Sequence, residues 1–207
     1  MPIGASAYPG PQQLAFDFYR VPQRPLPKRA TDNLYFAVLP DPEAARRMTE
    51  VGARFRERYD LPGRVHPAHL LHISLAHVGL FAGLPAPIVS VARRAGAAIR
   101  MAPFEVSFDR VIGFSGGQHS LVLRCARGDG EFTELRKAIA GTMLRAGFRA
   151  DPSVGLTPHV TLVYNGLTVP PTMLDQPISW TVRELVLVDS LQGRSRHVHL
   201  GRWPLQA

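Results

Sequence analysis

Two tetrapeptides 87 residues apart share one pattern: His72-Ile73-Ser74-Leu75 and His159-Val160-Thr161-Leu162. Each reads His, apolar, hydroxyl, apolar, the period-two alternation of a half-buried strand, which directs Ile73, Leu75, Val160 and Leu162 toward a core. Side chains at i and i+2 share a face, so His72 stands beside Ser74 and His159 beside Thr161. If the two strands lie together, two imidazoles and two hydroxyls converge on one surface. Histidine titrates close enough to neutrality to act as base toward an incoming oxygen or as acid toward a departing one. Hydroxyls can donate hydrogen bonds to the non-bridging oxygens of a phosphoryl group, where charge sits during transfer. Such a set could move two protons around a phosphorus without a metal. One four-residue match recurs by chance; two, in corresponding halves of the chain, single out a site.

The elements that must position these residues follow from periodicity and punctuation. Residues 34–39 read as a strand, Pro40, Asp41 and Pro42 as a turn and N-cap, and 43–59 as a helix ended by Leu61-Pro62-Gly63. Residues 70–78 form the first His strand, 79–87 a loop, and 88–100 a helix of small residues. A strand at 104–114 turns at Gly116 and Gly117 and returns over 120–127. An amphipathic helix at 131–146 closes at Gly147. The second His strand is 158–164, and strands 180–191 and 197–204 finish the chain. Each half offers a helix followed by a His strand. The expected fold is α+β: a duplicated, two-lobed arrangement of antiparallel sheets with flanking helices around a central groove. Residues 1–31, with six prolines, read as a flexible leader and 32–207 as the domain.

Composition narrows the classes. At 207 residues and 22.8 kDa the chain can bury a core without staples. Its one cysteine, Cys125, excludes an internal disulfide framework and reads as a small buried side chain. Apolar stretches are too short to span a bilayer and no basic and apolar leader is evident, so no membrane role and a cytoplasmic location are expected. The formal charge of +8, with 22 arginines and two lysines, suits a polyanionic partner and bidentate phosphate contacts. His66, His69 and His72 would align for a metal only on a helix, which Pro67 and the alternation after it oppose; neither metal nor cofactor is expected. Tyr35 and Tyr164 are candidates for base stacking, with Phe36 assigned to the core. Arg127 is the expected phosphate contact, with Arg124, Arg194 and Arg196 as further candidates. His197 and His199 share a face of the last strand, and His119 falls in a hairpin turn.

The paired His-x-Ser/Thr-x motifs resemble the 2H phosphoesterase superfamily, especially its bacterial RNA 2′,3′-cyclic phosphodiesterases, also called 2′-5′ RNA ligases. The likeness extends to Leu34-Tyr35-Phe36-Ala37-Val38-Leu39-Pro40 as the opening strand, Thr157-Pro158-His159-Val160-Thr161-Leu162 as the second motif, and Trp203-Pro204-Leu205 near the close. It covers about residues 33–205. The resemblance implies a pseudo-symmetric two-lobed fold, His72 and His159 as the acid and base, Ser74 and Thr161 as phosphate-holding hydroxyls, and no metal or organic cofactor. It implies RNA ends or cyclic nucleotides as substrate and hydrolysis of 2′,3′-cyclic phosphate to 2′-phosphate; a monomer is expected. Ligation of 2′-5′ ends, cleavage of 2′-5′ or small cyclic nucleotides, and nucleotide binding without turnover are the alternatives. The chain departs from the family at Pro67-Ala68-His69-Leu70-Leu71, where members carry Asn and an acidic residue, and at Tyr164-Asn165, where a small residue and an arginine are common.

Overall fold

Alternating apolar residues build two four-stranded sheets that share one buried core. The computed structural model describes residues 30–114, 120–148, 157–164 and 169–207. In chain order the elements are β1 (Asp32–Val38), α1 (Pro42–Arg58), β2 (Ile73–Phe81), α2 (Ala86–Ala97), β3 (Phe104–Phe114), β4 (Ser120–Arg127), α3 (Asp129–Arg145), β5 (His159–Tyr164), β6 (Thr172–Val182), β7 (Glu184–Leu191) and β8 (Arg196–Pro204). One sheet has the order β2-β1-β7-β8 and the other β5-β4-β3-β6, with every neighbouring pair antiparallel. The fold is therefore α+β and two-lobed, as expected. Each sheet contains the same unit, a strand, a helix and a returning His-bearing strand: β1-α1-β2 in one and β4-α3-β5 in the other. In both, the His strand lies at the sheet edge.

Local chemistry explains the helix ends. Asp41 caps α1, its carboxylate accepting from the Ala44 N–H at 2.8 Å, and Pro42 opens the helix where no N–H is needed. Gly147, at φ +89°, follows α3 in the left-handed conformation that ends helices. Helix α1 crosses from its own strands onto the second sheet. A Cβ on Gly52 would lie 3.4 Å from Leu162 of β5, and Arg47 donates to the Pro177 carbonyl of β6 at 3.1 Å. The core includes Phe36, Ile73 and Leu75 from the first sheet and Phe108, Val160 and Leu162 from the second, all fully buried. Burying such side chains contributes about 1.5–3 kcal/mol each. Cys125 is buried, as read from the sequence.

Three boundaries differ from the sequence reading. The first His strand begins at Ile73, because Ala68–Leu70 makes one 3-10 turn closed by bonds from Leu70 N to Pro67 O and from Leu71 N to Ala68 O. It continues through Phe81, which pairs with Asp32 of β1, so the first three residues of the expected loop at 79–87 are strand. The expected strand 180–191 is two strands in different sheets, separated at Arg183, and β6 starts as early as Thr172. Only Ile178, Trp180 and Val182 of β6 are buried, so its first half has no apolar alternation to read. Thr31, assigned to the leader, is tied to the domain by its N–H to Phe81 O at 2.8 Å. Gly116, Gly117, His119, Asn165 and residues 1–29 lie outside the described residues. No helix among the described residues is long and apolar enough to cross a membrane.

Candidate functional site

The two His strands meet because the segment leading into the first motif runs along the second. Val65 forms an antiparallel bridge with Val163, and the His66 N–H donates to Leu162 O at 2.7 Å. Gly63 permits this approach: a Cβ there would fall 1.6 Å from the Tyr164 carbonyl oxygen. Across this seam His72, Ser74, His159 and Thr161 line one cavity of about 650 Å³. Ile73, Leu75, Val160 and Leu162 point the other way, into the core.

The two histidines are held alike. Nδ1 of His72 lies 2.8 Å from the Leu70 carbonyl, and Nδ1 of His159 lies 2.8 Å from the Thr157 carbonyl. In each case the partner is the carbonyl two residues upstream. A carbonyl oxygen carries no hydrogen, so each Nδ1 must be the donor, and the lone pair of each neutral ring is on Nε2. Burial lowers the pKa of His72 to about 4, with repulsion from His66 and His159 adding to it and the Leu70 bond opposing it. His159 is lowered as well, chiefly by burial and secondarily by Arg124, which sits opposite it in β4. Both rings are thus arranged to be neutral when the cavity is empty of anions.

Around them the cavity is basic and polar. Five histidines (His66, His72, His77, His159, His197) and Arg196 line it, and among the described residues no carboxylate does. Tyr35 packs its ring 5.1 Å from that of His72, and its hydroxyl lies 3.3 Å from His197 Nε2. Its neighbour Phe36 faces the core, as alternation requires. Burial raises the Tyr35 phenol far above its ordinary value, so it remains protonated. Tyr164 is half-exposed and stands edge-on to His66, with ring centroids 5.1 Å apart. On the core side of the same strands Asp189 is buried, and desolvation, then the neighbouring Asp32 carboxylate, raise its pKa to about 6.

Tyr35 and Tyr164 therefore share the cavity with the four motif residues. Arg127 does not. It is exposed at the far end of β4, 3.7 Å from Glu105, because β4 outruns β5 by three residues beyond the Arg124 and His159 pair. Arg194 lines a separate hollow with Asp32, and His69 is not a lining residue. Sequence reasoning missed His77, whose Nε2 donates to Asn33 Oδ1 at 2.8 Å. Strict alternation from Ser74 would turn Ala76, and not His77, to the cavity. Irregular pairing with β1, which leaves Leu75 and Val78 without register partners, packs Ala76 against the core at the cavity wall and brings His77 to the cavity as well, beside Tyr35. No signal in the sequence marks that bulge.

The chain matches the model of the 2′-5′ RNA ligase superfamily over residues 40–194. Among solved structures it is similar to apo LigT of E. coli, with 23% identity and a TM-score of 0.65 over 86% of this chain and 100% of that one. It is also similar to a protein described as a phosphoesterase, with 24% identity and a TM-score of 0.62 over 86% and 99%. TT0787 of Thermus thermophilus gives 20% identity and 0.63 over 84% and 98%. These likenesses establish a common fold. No curated protein matches the chain.

Proposed function

This chain belongs to the 2′-5′ RNA ligase superfamily, and we propose that within it the chain hydrolyses RNA 2′,3′-cyclic phosphate ends to 2′-phosphates by acid-base catalysis between His72 and His159. The observation that carries this reading is the matched pair of Nδ1 to carbonyl bonds, which gives both rings the same tautomer on the wall of one cavity.

In the proposed step one Nε2 takes a proton from water as the water oxygen forms a bond to phosphorus. The bond from phosphorus to the ribose 3′ oxygen breaks, and the protonated Nε2 of the other ring delivers its proton to that oxygen. Ser74 and Thr161 donate to the non-bridging oxygens. An arriving phosphodiester brings negative charge into a cavity whose described lining holds no carboxylate, which favours keeping one imidazole protonated. Tyr164 offers an exposed ring on which a base can stack. LigT of E. coli has been solved with phosphate and with 3′-AMP, ligands of the kind this cavity would take. Ligation of 2′-5′ ends is the same ring opening with a ribose 5′-hydroxyl in place of water: its oxygen bonds to phosphorus, the bond to the 3′ oxygen breaks, and the 3′ oxygen takes the proton.

The test is analysis of phosphate ends after incubating the protein, in EDTA, with a short RNA ending in a 2′,3′-cyclic phosphate, beside a His72→Ala/His159→Ala double variant. Conversion to a 2′-phosphate by wild type alone is expected. Binding without conversion would replace the enzyme with a binding protein.

A further inference from the structure

The cavity continues past the motif residues to the hairpin that joins β7 and β8, where Gln192, Ser195 and Arg196 line it. Arg196 opens β8 and is exposed. Its neighbour in sequence, His197, reaches back to place its ring 5.1 Å from that of His72. Arg196 is therefore rooted close to the reacting centre, on a side chain long enough to extend along the cavity rim.

Arg196 is the one arginine among the described residues that lines this cavity, and the arginines that have carboxylate partners lie elsewhere. Arg46 is paired with Glu43 and Glu50, Arg110 with Asp109, Arg127 with Glu105 and Arg202 with Glu184. Among the described residues Arg196 has neither an ion pair nor a side-chain hydrogen bond, and the cavity it lines offers no carboxylate to take it up. A guanidinium presents a planar fork of donors that matches a phosphate, and gains most where no internal anion competes. Gln192 and Ser195 add neutral hydrogen-bonding groups beside it.

We propose that Arg196 anchors a second phosphate, the 5′-phosphate of the nucleotide whose cyclic phosphate lies between His72 and His159. The preferred ligand is then a nucleotide phosphorylated at both ends, as at the terminus of an RNA chain, and not an isolated nucleoside cyclic phosphate. The inference deepens the reading of the same site as a phosphoesterase of RNA ends and rests on it for the placement of the first phosphate.

Binding separates the two. Adenosine 3′-phosphate and adenosine 3′,5′-bisphosphate, neither carrying a cyclic phosphate, are titrated against the full chain in low salt with EDTA. Wild type should bind the bisphosphate roughly tenfold or more tightly, the scale of a hydrogen bond to a charged group. Arg196→Ala should bring that ratio toward one, Arg196→Lys should keep part of it, and Arg194→Ala, on the same hairpin but lining another hollow, should keep all of it. Equal binding of the two ligands by wild type, or an undiminished ratio in Arg196→Ala, overturns the anchor. Turnover of a cyclic-phosphate RNA end is measured in parallel. Loss of the binding preference with turnover intact removes only the anchor, whereas no turnover with the preference intact removes the hydrolase reading and leaves the anchor standing.

Discussion

The ring of His197 stands edge-on to that of His72, with centroids 5.1 Å apart and planes at 80°. Burial lowers the pKa of His197 to about 4, and His72 is the largest of the neighbouring charges that lower it further, followed by His199, His66 and His69. Two imidazoles so placed resist being charged together. The proposed acid-base pair therefore sits in a local field that favours neutral rings until an anion arrives.

That field has a kinetic signature. The proposed turnover needs one of His72 and His159 neutral and the other protonated, and both are held below the ordinary histidine value of 6.5. The pH profile of kcat/KM reports the free protein, so its maximum should fall on the acid side of 6.5 and decline as pH rises. In the complex the bound phosphodiester favours the imidazolium, and the kcat profile should move to higher pH. Superimposable profiles centred above neutrality would contradict this arrangement.

Folding stability carries the same information with a definite sign. His72 has a folded pKa of about 4 against an ordinary 6.5, so between these values the unfolded chain binds the proton that the native protein refuses. Stability tied to the neutral ring is present above 6.5 and lost as pH falls toward 4, to the extent of about 3 kcal/mol at most. Asp189, raised to about 6, acts oppositely: its protonation favours the native state as pH falls from 6 toward 4. Chemical denaturation should show that His72→Gln loses less stability than wild type between about pH 7 and pH 4.5. Asp189→Asn should gain more at about pH 8 than at about pH 4.5. Parallel curves for wild type and both variants would sink the argument.

Removing single groups of the proposed catalytic set should separate chemistry from folding. His72→Ala or His159→Ala is expected to cut turnover by about 10²–10⁴, the scale of a general acid or base. Ser74→Ala and Thr161→Val should cost less than either histidine, since each hydroxyl leaves the other phosphate donor in place. Circular dichroism should remain that of wild type, because these four side chains face the cavity and not the core. A normal rate in His72→Ala would remove it from the mechanism.

Gly63→Ala tests the seam. An added methyl would overlap the Tyr164 carbonyl at 1.6 Å and press on Val163. The backbone must move, which costs about 1–3 kcal/mol or more and shifts β5 relative to the first motif. Both the melting temperature and turnover should fall, and an unaffected enzyme would show that the seam does not set the site.

Much of this arrangement was legible in the chain. Alternation placed Ile73, Leu75, Val160 and Leu162 in the core and Tyr35 opposite Phe36, because period two is a geometric property of extended backbone. Asp41 between two prolines marked the start of α1 through cap chemistry that is local. What escaped depended on tertiary context. His77 reaches the cavity through a bulge set by pairing with β1, and the first half of β6 is held by its ladder with β3 and not by burial. Arg127 was assigned by charge alone, and charge does not say at which end of a strand pair a residue will stand.

Placing each His strand at a sheet edge has a consequence for the life of the chain outside catalysis. Edge strands present unsatisfied backbone groups that can recruit other chains and seed aggregation. Here the outer side of β5 is occupied by Val65 and His66, from the polypeptide's own first half. An isolated second lobe would be sticky along that border, so having both lobes on one polypeptide protects its solubility.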